Sequence, residues 1–198
     1  PDRSEFSTSQ CFHQSQPEST FMGRAVAAGG AAPLLPSFKY GMPIFGLAWP
    51  SEDTFYLCGG GGSTSSGIKN RVVVAQRVGS LLSDQVVEHS FGMDCPMRMA
   101  VSPSGKTMVL AMGGQGGIRR VDITHTGKVP KMQDVQGDLA TRVAEIKGQF
   151  RCLMFSASGE QLVLGTDDGQ LMVLDWPSLK PRLHLKDERL LSNSVRDL

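Results

Sequence analysis

The chain has 198 residues, enough for one domain of ordinary size or for part of a larger one. Twenty basic and nineteen acidic side chains leave a net charge of +1, which offers no broad basic surface to nucleic acid. No apolar run reaches the roughly 18–20 residues that cross a bilayer as a helix, and Cys11, Cys58, Cys95 and Cys152 lie far apart with no CxxC pair, which points to neither a zinc site nor a disulfide framework and fits a reduced, cytosolic-type setting.

Residues 1–21 are polar and carry neither a period of two nor one of 3.6, so they cannot bury enough apolar surface to offset their ordering entropy. Met22-Gly23-Arg24-Ala25 follows, and two readings stay open. Either Met22 is the natural start and residues 1–21 are read through from upstream sequence, or the N-terminus is disordered and Met22 is internal. Residues 25–35 are rich in Ala and Gly, too weakly apolar for a signal peptide, and Ala27 stands where myristoylation needs Ser or Thr. Residues 1–37 are accordingly expected to be a disordered segment, with the folded part over 38–198.

From Lys39 onward the chain reads as short strands bounded by Pro, Gly, Ser and Asp: residues 43–49, 54–58 and 71–78, then 96–101, 107–112 and 117–123, then 150–155, 161–165 and 170–175. A fourth, less regular strand is expected at 85–91 and again at 179–185. Residues 134–146 are the nearest approach to a helix and read equally as an outer strand with loops. Val101-Ser102-Pro103-Ser104-Gly105 aligns with Phe155-Ser156-Ala157-Ser158-Gly159 at an offset of 54, and Val109-Leu110 aligns with Val163-Leu164 at the same offset. Tyr56-Leu57 lies 53 before Val109-Leu110, and Asp122 lies 53 before Asp175. Self-similarity at a fixed period, with four strands per unit, predicts an all-β fold of the β-propeller kind. Asp167-Asp168-Gly169 leading to Leu174-Asp175-Trp176 resembles a WD repeat with its last dipeptide reversed. Three units do not close a ring of four to eight blades. Residues 194–198 look like the first strand of a fourth blade, so the expectation is the N-terminal part of a larger protein.

The segment Gly59-Gly60-Gly61-Gly62-Ser63-Thr64-Ser65-Ser66-Gly67-Ile68-Lys69-Asn70 stands where the other two units have a short turn. Four successive glycines can take backbone angles closed to other residues. A phosphate-binding P-loop is excluded, because Gly67-Ile68-Lys69-Asn70 precedes a strand and the required GK[ST] and helix are missing. A dinucleotide fingerprint fails on the same missing helix. Two readings remain: a flexible surface loop, or a backbone that approaches a partner or wraps an ion.

Tyr40-Gly41-Met42-Pro43-Ile44-Phe45-Gly46, the four glycines, Gly67-Ile68-Lys69-Asn70 and, later, Pro96-Met97-Arg98-Met99-Ala100-Val101 resemble the SEC-twelve-like proteins, which include the prolactin regulatory element-binding protein of animals and plant relatives. The resemblance covers about residues 38–198. It implies a WD-repeat-type propeller, seven-bladed in full length with about three blades here, facing the cytosol. It also implies an endoplasmic reticulum membrane anchor near the C-terminus of the full-length protein. The implied activity is guanine-nucleotide exchange on the Sar-type small GTPase that starts COPII assembly, without covalent chemistry. In that family the glycine-rich loop is organised around a potassium ion, here implied on the backbone of Gly59, Gly60, Gly61 and Gly62. The loop then meets the GTPase through Gly67, Ile68, Lys69 and Asn70, with Asn70 as the key exchange residue. An asparagine amide both donates and accepts, so it could replace contacts that switch regions make to nucleotide. The alternative is a non-catalytic scaffold that assists export of membrane cargo such as phosphate transporters. DNA binding has no motif to support it.

The remaining residues have plainer readings. His89, His125 and His184 have no metal-ligand spacing, Ser102, Ser156 and Asp167-Asp168 sit in turns, and Cys58 and Cys152 are small core residues. Lys186 to Arg189 reads as a solvated loop.

Overall fold

The computed structural model describes residues 40–62, 66–83, 87–114, 117–126 and 130–186. The chain divides into two units, Pro1–Leu35 and Pro36–Leu198, and every described residue belongs to the second. The expected disordered segment 1–37, Met22, Cys11 and the expected fourth-blade strand at 194–198 lie outside the described residues.

Each apolar run bounded by turn residues becomes a strand. The first sheet holds β1 (Ile44–Ser51), β2 (Thr54–Gly59), β3 (Arg71–Val78), β4 (Leu81–Leu82) and β5 (Val87–Ser90), with both β4 and β5 paired to β3. The second runs β6 (Pro96–Val101), β7 (Thr107–Met112), β8 (Ile118–Thr124) and β9 (Lys131–Val135). The third runs β10 (Phe150–Phe155), β11 (Gln161–Thr166), β12 (Leu171–Asp175) and β13 (Lys180–Leu185). All pairings are antiparallel and between strands close in sequence, so each sheet is a meander. A single helical turn and a half, α1 (Asp138–Arg142), joins the second sheet to the third. The region 134–146 is thus both of the things its sequence allowed: the end of an outer strand and a short helix.

The 54-residue offset is visible atom by atom. The Ser102 amide donates to the Thr107 carbonyl at 2.8 Å, and the Thr107 amide donates to Ser102 Oγ at 3.2 Å. One repeat later the Ser156 amide donates to the Gln161 carbonyl at 2.9 Å, and the Gln161 amide donates to Ser156 Oγ at 3.1 Å. The hydroxyl saves a backbone group from being left unpaired, which is why serine recurs at this turn. Every first strand also slips register near its start, at 44/46, 96/98 and 150/152.

The core lies between the sheets rather than within one. Tyr56, Cys58, Val72 and Val74 of the first sheet pack against Met108, Leu110, Val121 and Ile123 of the second. On the other side of the second sheet, Ala100, Val109 and Ile118 meet Phe155, Leu162, Leu164, Met172 and Leu174 of the third. Residues facing opposite ways along β7 therefore serve two interfaces, which explains why that strand is buried throughout. The first strands are stitched together by Arg98 on β6: its Nε donates to the Arg151 carbonyl at 3.1 Å and one Nη to the Phe45 carbonyl at 3.5 Å. Face-to-face antiparallel meanders of four strands, or of five where β4 and β5 share the outer edge of the first, are propeller blades in an all-β chain, in keeping with the repeat.

Candidate functional site

The glycine-rich segment emerges where β2 ends at Gly59 and returns at Arg71, the first residue of β3. The base of the loop is pinned from two directions. The Gly60 amide donates to the Pro43 carbonyl at 3.2 Å. The guanidinium of Arg71 donates to both carboxylate oxygens of Glu88 at 2.9 Å and to the Tyr40 carbonyl at 2.6 Å, and the Tyr40 hydroxyl donates to the Ser83 carbonyl at 3.1 Å. The stretch 40–43 ahead of β1 is in this way held against the loop.

Asn70 organises the interior. Its Oδ1 accepts the Gly62 amide at 3.0 Å, while its Nδ2 donates to the Gly62 carbonyl at 2.8 Å and to the Gly92 carbonyl at 3.1 Å. Its own carbonyl accepts the Phe91 amide at 2.9 Å. Both Nδ2 protons are therefore spent inside the molecule, and the residue is only 2% exposed. Asn70 does not point outward for a partner; it ties the glycine tract to the turn that follows β5.

The tract is not slack. A Cβ on Gly60 would sit 2.6 Å from Asn70 Cα and 3.0 Å from its Cγ, and a Cβ on Gly61 would overlap Ser66 Oγ and lie 2.9 Å from Ile68 Cβ. One on Gly59 would run into the Pro43 carbonyl, while Gly62 needs its φ of +80° rather than room. Glycine is thus required mainly by close packing, not by mobility. Among the described residues of the loop, Ser66, Gly67, Ile68 and Lys69 are exposed, with Ile68 at 37%.

The thiols below the loop are quiet. Burial, with the nearby Cys95, pushes the Cys58 thiol up to about 12. Burial also raises Cys95, opposed by the Gly62 amide. Tyr56 is raised by burial, and its hydroxyl has no hydrogen-bond partner among the described residues. A potassium ion on main-chain carbonyls would have to share them with Asn70, since the carbonyls of Gly62 and Gly92 already accept the Nδ2 protons. Each of these carbonyl oxygens keeps a second lone pair, so the hydrogen bonds from Asn70 do not decide whether a cation could sit on the tract. Among the described residues no group of three metal-binding side chains exists, and no helix is long and apolar enough to cross a membrane.

His89, near the end of β5, bridges two blades: its Nε2 lies 3.0 Å from Asp134 Oδ1. Asp134 also takes Arg119 at 3.4 Å, and Arg119 pairs with Asp94. His125 reaches the Gly105 carbonyl and His184 reaches Gln170. Sequence reasoning missed the turn 91–94, the partner of Asn70; its only sequence signal is Gly92-Met93 between two apolar stretches.

No family model matches the chain. Over 125 residues it is 29% identical to SEC12-like protein 2 of Arabidopsis thaliana, a match that takes in 60% of this chain and 30% of that protein. The chain therefore spans about a third of the length of that relative, and the likeness supports a SEC12-like relationship for part of the chain. Among solved structures it is similar to the hydrazine synthase of Kuenenia stuttgartiensis, with a TM-score of 0.51 and 14% identity over 85% of this chain and 42% of the other. It is also similar to a putative 6-phosphogluconolactonase of Bacteroides uniformis, with a TM-score of 0.45 and 11% identity over 73% and 41%. At 14% identity the first of these speaks to fold alone, and that fold is of the β-propeller type.

Proposed function

We propose that this chain carries the partner-binding end of a guanine-nucleotide exchange factor for a Sar-type small GTPase. On this reading it acts at the endoplasmic reticulum membrane, at the start of COPII coat assembly. The observation that carries the reading is the SEC12-like relationship, joined to an internally braced glycine loop that leaves Gly67, Ile68 and Lys69 in solvent. Exchange requires only that the loop bind the nucleotide-free GTPase more tightly than the loaded one. Each tenfold in that preference is about 1.4 kcal/mol. Ile68 supplies an apolar anchor and Lys69 a charge. Asn70 acts as a positioning residue that holds both at a fixed place, in place of the direct role expected for it. The membrane anchor belongs to the full-length protein.

A second reading is a scaffold that assists cargo export. It is favoured by the burial of Asn70, since a self-satisfied loop needs no GTPase to account for its shape. GDP release from the GTPase, followed with the full-length protein, separates the two. Exchange predicts acceleration by the wild type, loss with Ile68→Asp, and preferential capture of the nucleotide-free GTPase. A rate equal to spontaneous release, with no preference for the empty form, refutes exchange and leaves the scaffold.

A further inference from the structure

The turn 91–94 is built like a presentation device. Phe91, before it, is buried and enters the core between the first two sheets, with the His89 ring 4.9 Å away edge-on and the Arg119 guanidinium 5.8 Å above it. Asp94, after it, is held by Arg119, which is itself held by Asp134. The turn closes on the Asp94 amide donating to the Phe91 carbonyl at 3.2 Å, with Gly92 at a φ of +61°. Between these anchors Met93 is left 58% exposed. Asn70 then fixes this turn to the glycine loop twice, through its carbonyl to the Phe91 amide and through Nδ2 to the Gly92 carbonyl.

Single exposed apolar residues are common on protein surfaces and mean little alone. Here two of them, Ile68 and Met93, stand on separate segments that one buried asparagine locks together. A residue on a rigid turn loses little entropy when it is covered, and a methionine adapts to an irregular apolar surface. Lys69 is exposed and, among the described residues, forms no ion pair. We propose that Met93 is a second anchor for the same partner as Ile68, so that the GTPase is held at two points. The complementary surface on the GTPase is an apolar groove rimmed by carboxylates that face Lys69. This inference rests on the exchange reading and extends it to a segment 23 residues further along the chain than Asn70.

The test is the affinity of the full-length protein for nucleotide-free GTPase, measured for the wild type, Ile68→Asp, Met93→Asp, Met93→Leu and, as a control, Val78→Asp. Val78 is 64% exposed at the far end of β3. Met93→Asp is expected to weaken binding about tenfold or more, as truncating an interface anchor does. Met93→Leu should stay within about threefold, as a volume-conserving apolar swap. Val78→Asp should bind as the wild type, and all melting temperatures should agree. Wild-type binding by Met93→Asp, with Ile68→Asp impaired, overturns the second anchor and leaves the exchange reading intact. Wild-type binding by both aspartate variants overturns the loop as the contact, and the second anchor with it. No binding by the wild-type protein overturns the exchange reading and this inference together.

Discussion

Asn70→Asp isolates what the buried amide contributes. The variant keeps Oδ1 as the acceptor for the Gly62 amide but replaces Nδ2 with a second oxygen. That oxygen faces the Gly62 and Gly92 carbonyls, which lie 2.8 and 3.1 Å from the present nitrogen. Two hydrogen bonds are lost at roughly 1 kcal/mol each. Carbonyl repulsion and desolvation of a carboxylate at a site 2% exposed add about 1–2 kcal/mol more. The expected loss is about 3–4 kcal/mol at pH 7 by urea unfolding of the full-length protein. The same repulsion raises the new carboxyl above its unfolded value. The protonated acid can donate to one carbonyl, so the variant is least impaired below the ordinary carboxylate range and worsens as pH rises through the folded value. Hydrogen exchange should quicken at Phe91 and across the glycine tract. If the unfolding midpoint at pH 7 matches the wild type and those amides exchange as before, the bracing role is refuted.

Gly60→Ala should destabilise by about 2–3 kcal/mol, because its Cβ meets backbone at 2.6 Å, whereas Gly62→Ala, in open space at φ +80°, should lose about 1–2 kcal/mol; chemical denaturation ranks the two. Cys58 should resist thiol reagents at pH 8 until the protein unfolds, since a thiol at about 12 is roughly one part in ten thousand thiolate there. Its raised value also favours the fold fully below pH 9.0, and that contribution is lost as pH climbs toward 12, so Cys58→Ala should flatten alkaline unfolding over that window.

The blades were legible because the same physical demand recurs. A turn that needs a hydroxyl to cap a backbone amide selects serine at 102 and again at 156, and a strand buried on both faces is apolar from Met108 to Met112. Short elements were not legible. β4 is two residues long and α1 five, below the length at which any period can be counted. The glycine tract was found but its nature was not, since composition is the same whether four glycines are slack or packed to contact. The family resemblance singles out Asn70, and its amide can both donate and accept. Which groups it serves depends on Gly92, a residue 22 positions away that only the folded chain brings near. A buried polar side chain carries no mark of burial in its local sequence.

That burial bears on how exchange would work. For Asn70 to reach into a partner, it would have to leave the Gly62 amide, the Gly62 carbonyl and the Gly92 carbonyl, three hydrogen bonds worth about 3 kcal/mol together. An open loop at that energy is populated at roughly one part in a hundred or less, and the apparent affinity for the partner falls by the same factor. Contacts made by the released amide would first have to recover that hundredfold. Ile68 and Lys69 carry no such penalty, because they are already in solvent on a loop that stays closed. Energetically the favoured arrangement keeps Asn70 where it is and lets its neighbours touch. The requirement for asparagine at this position then comes from the three groups it satisfies at once, which neither alanine nor aspartate can do.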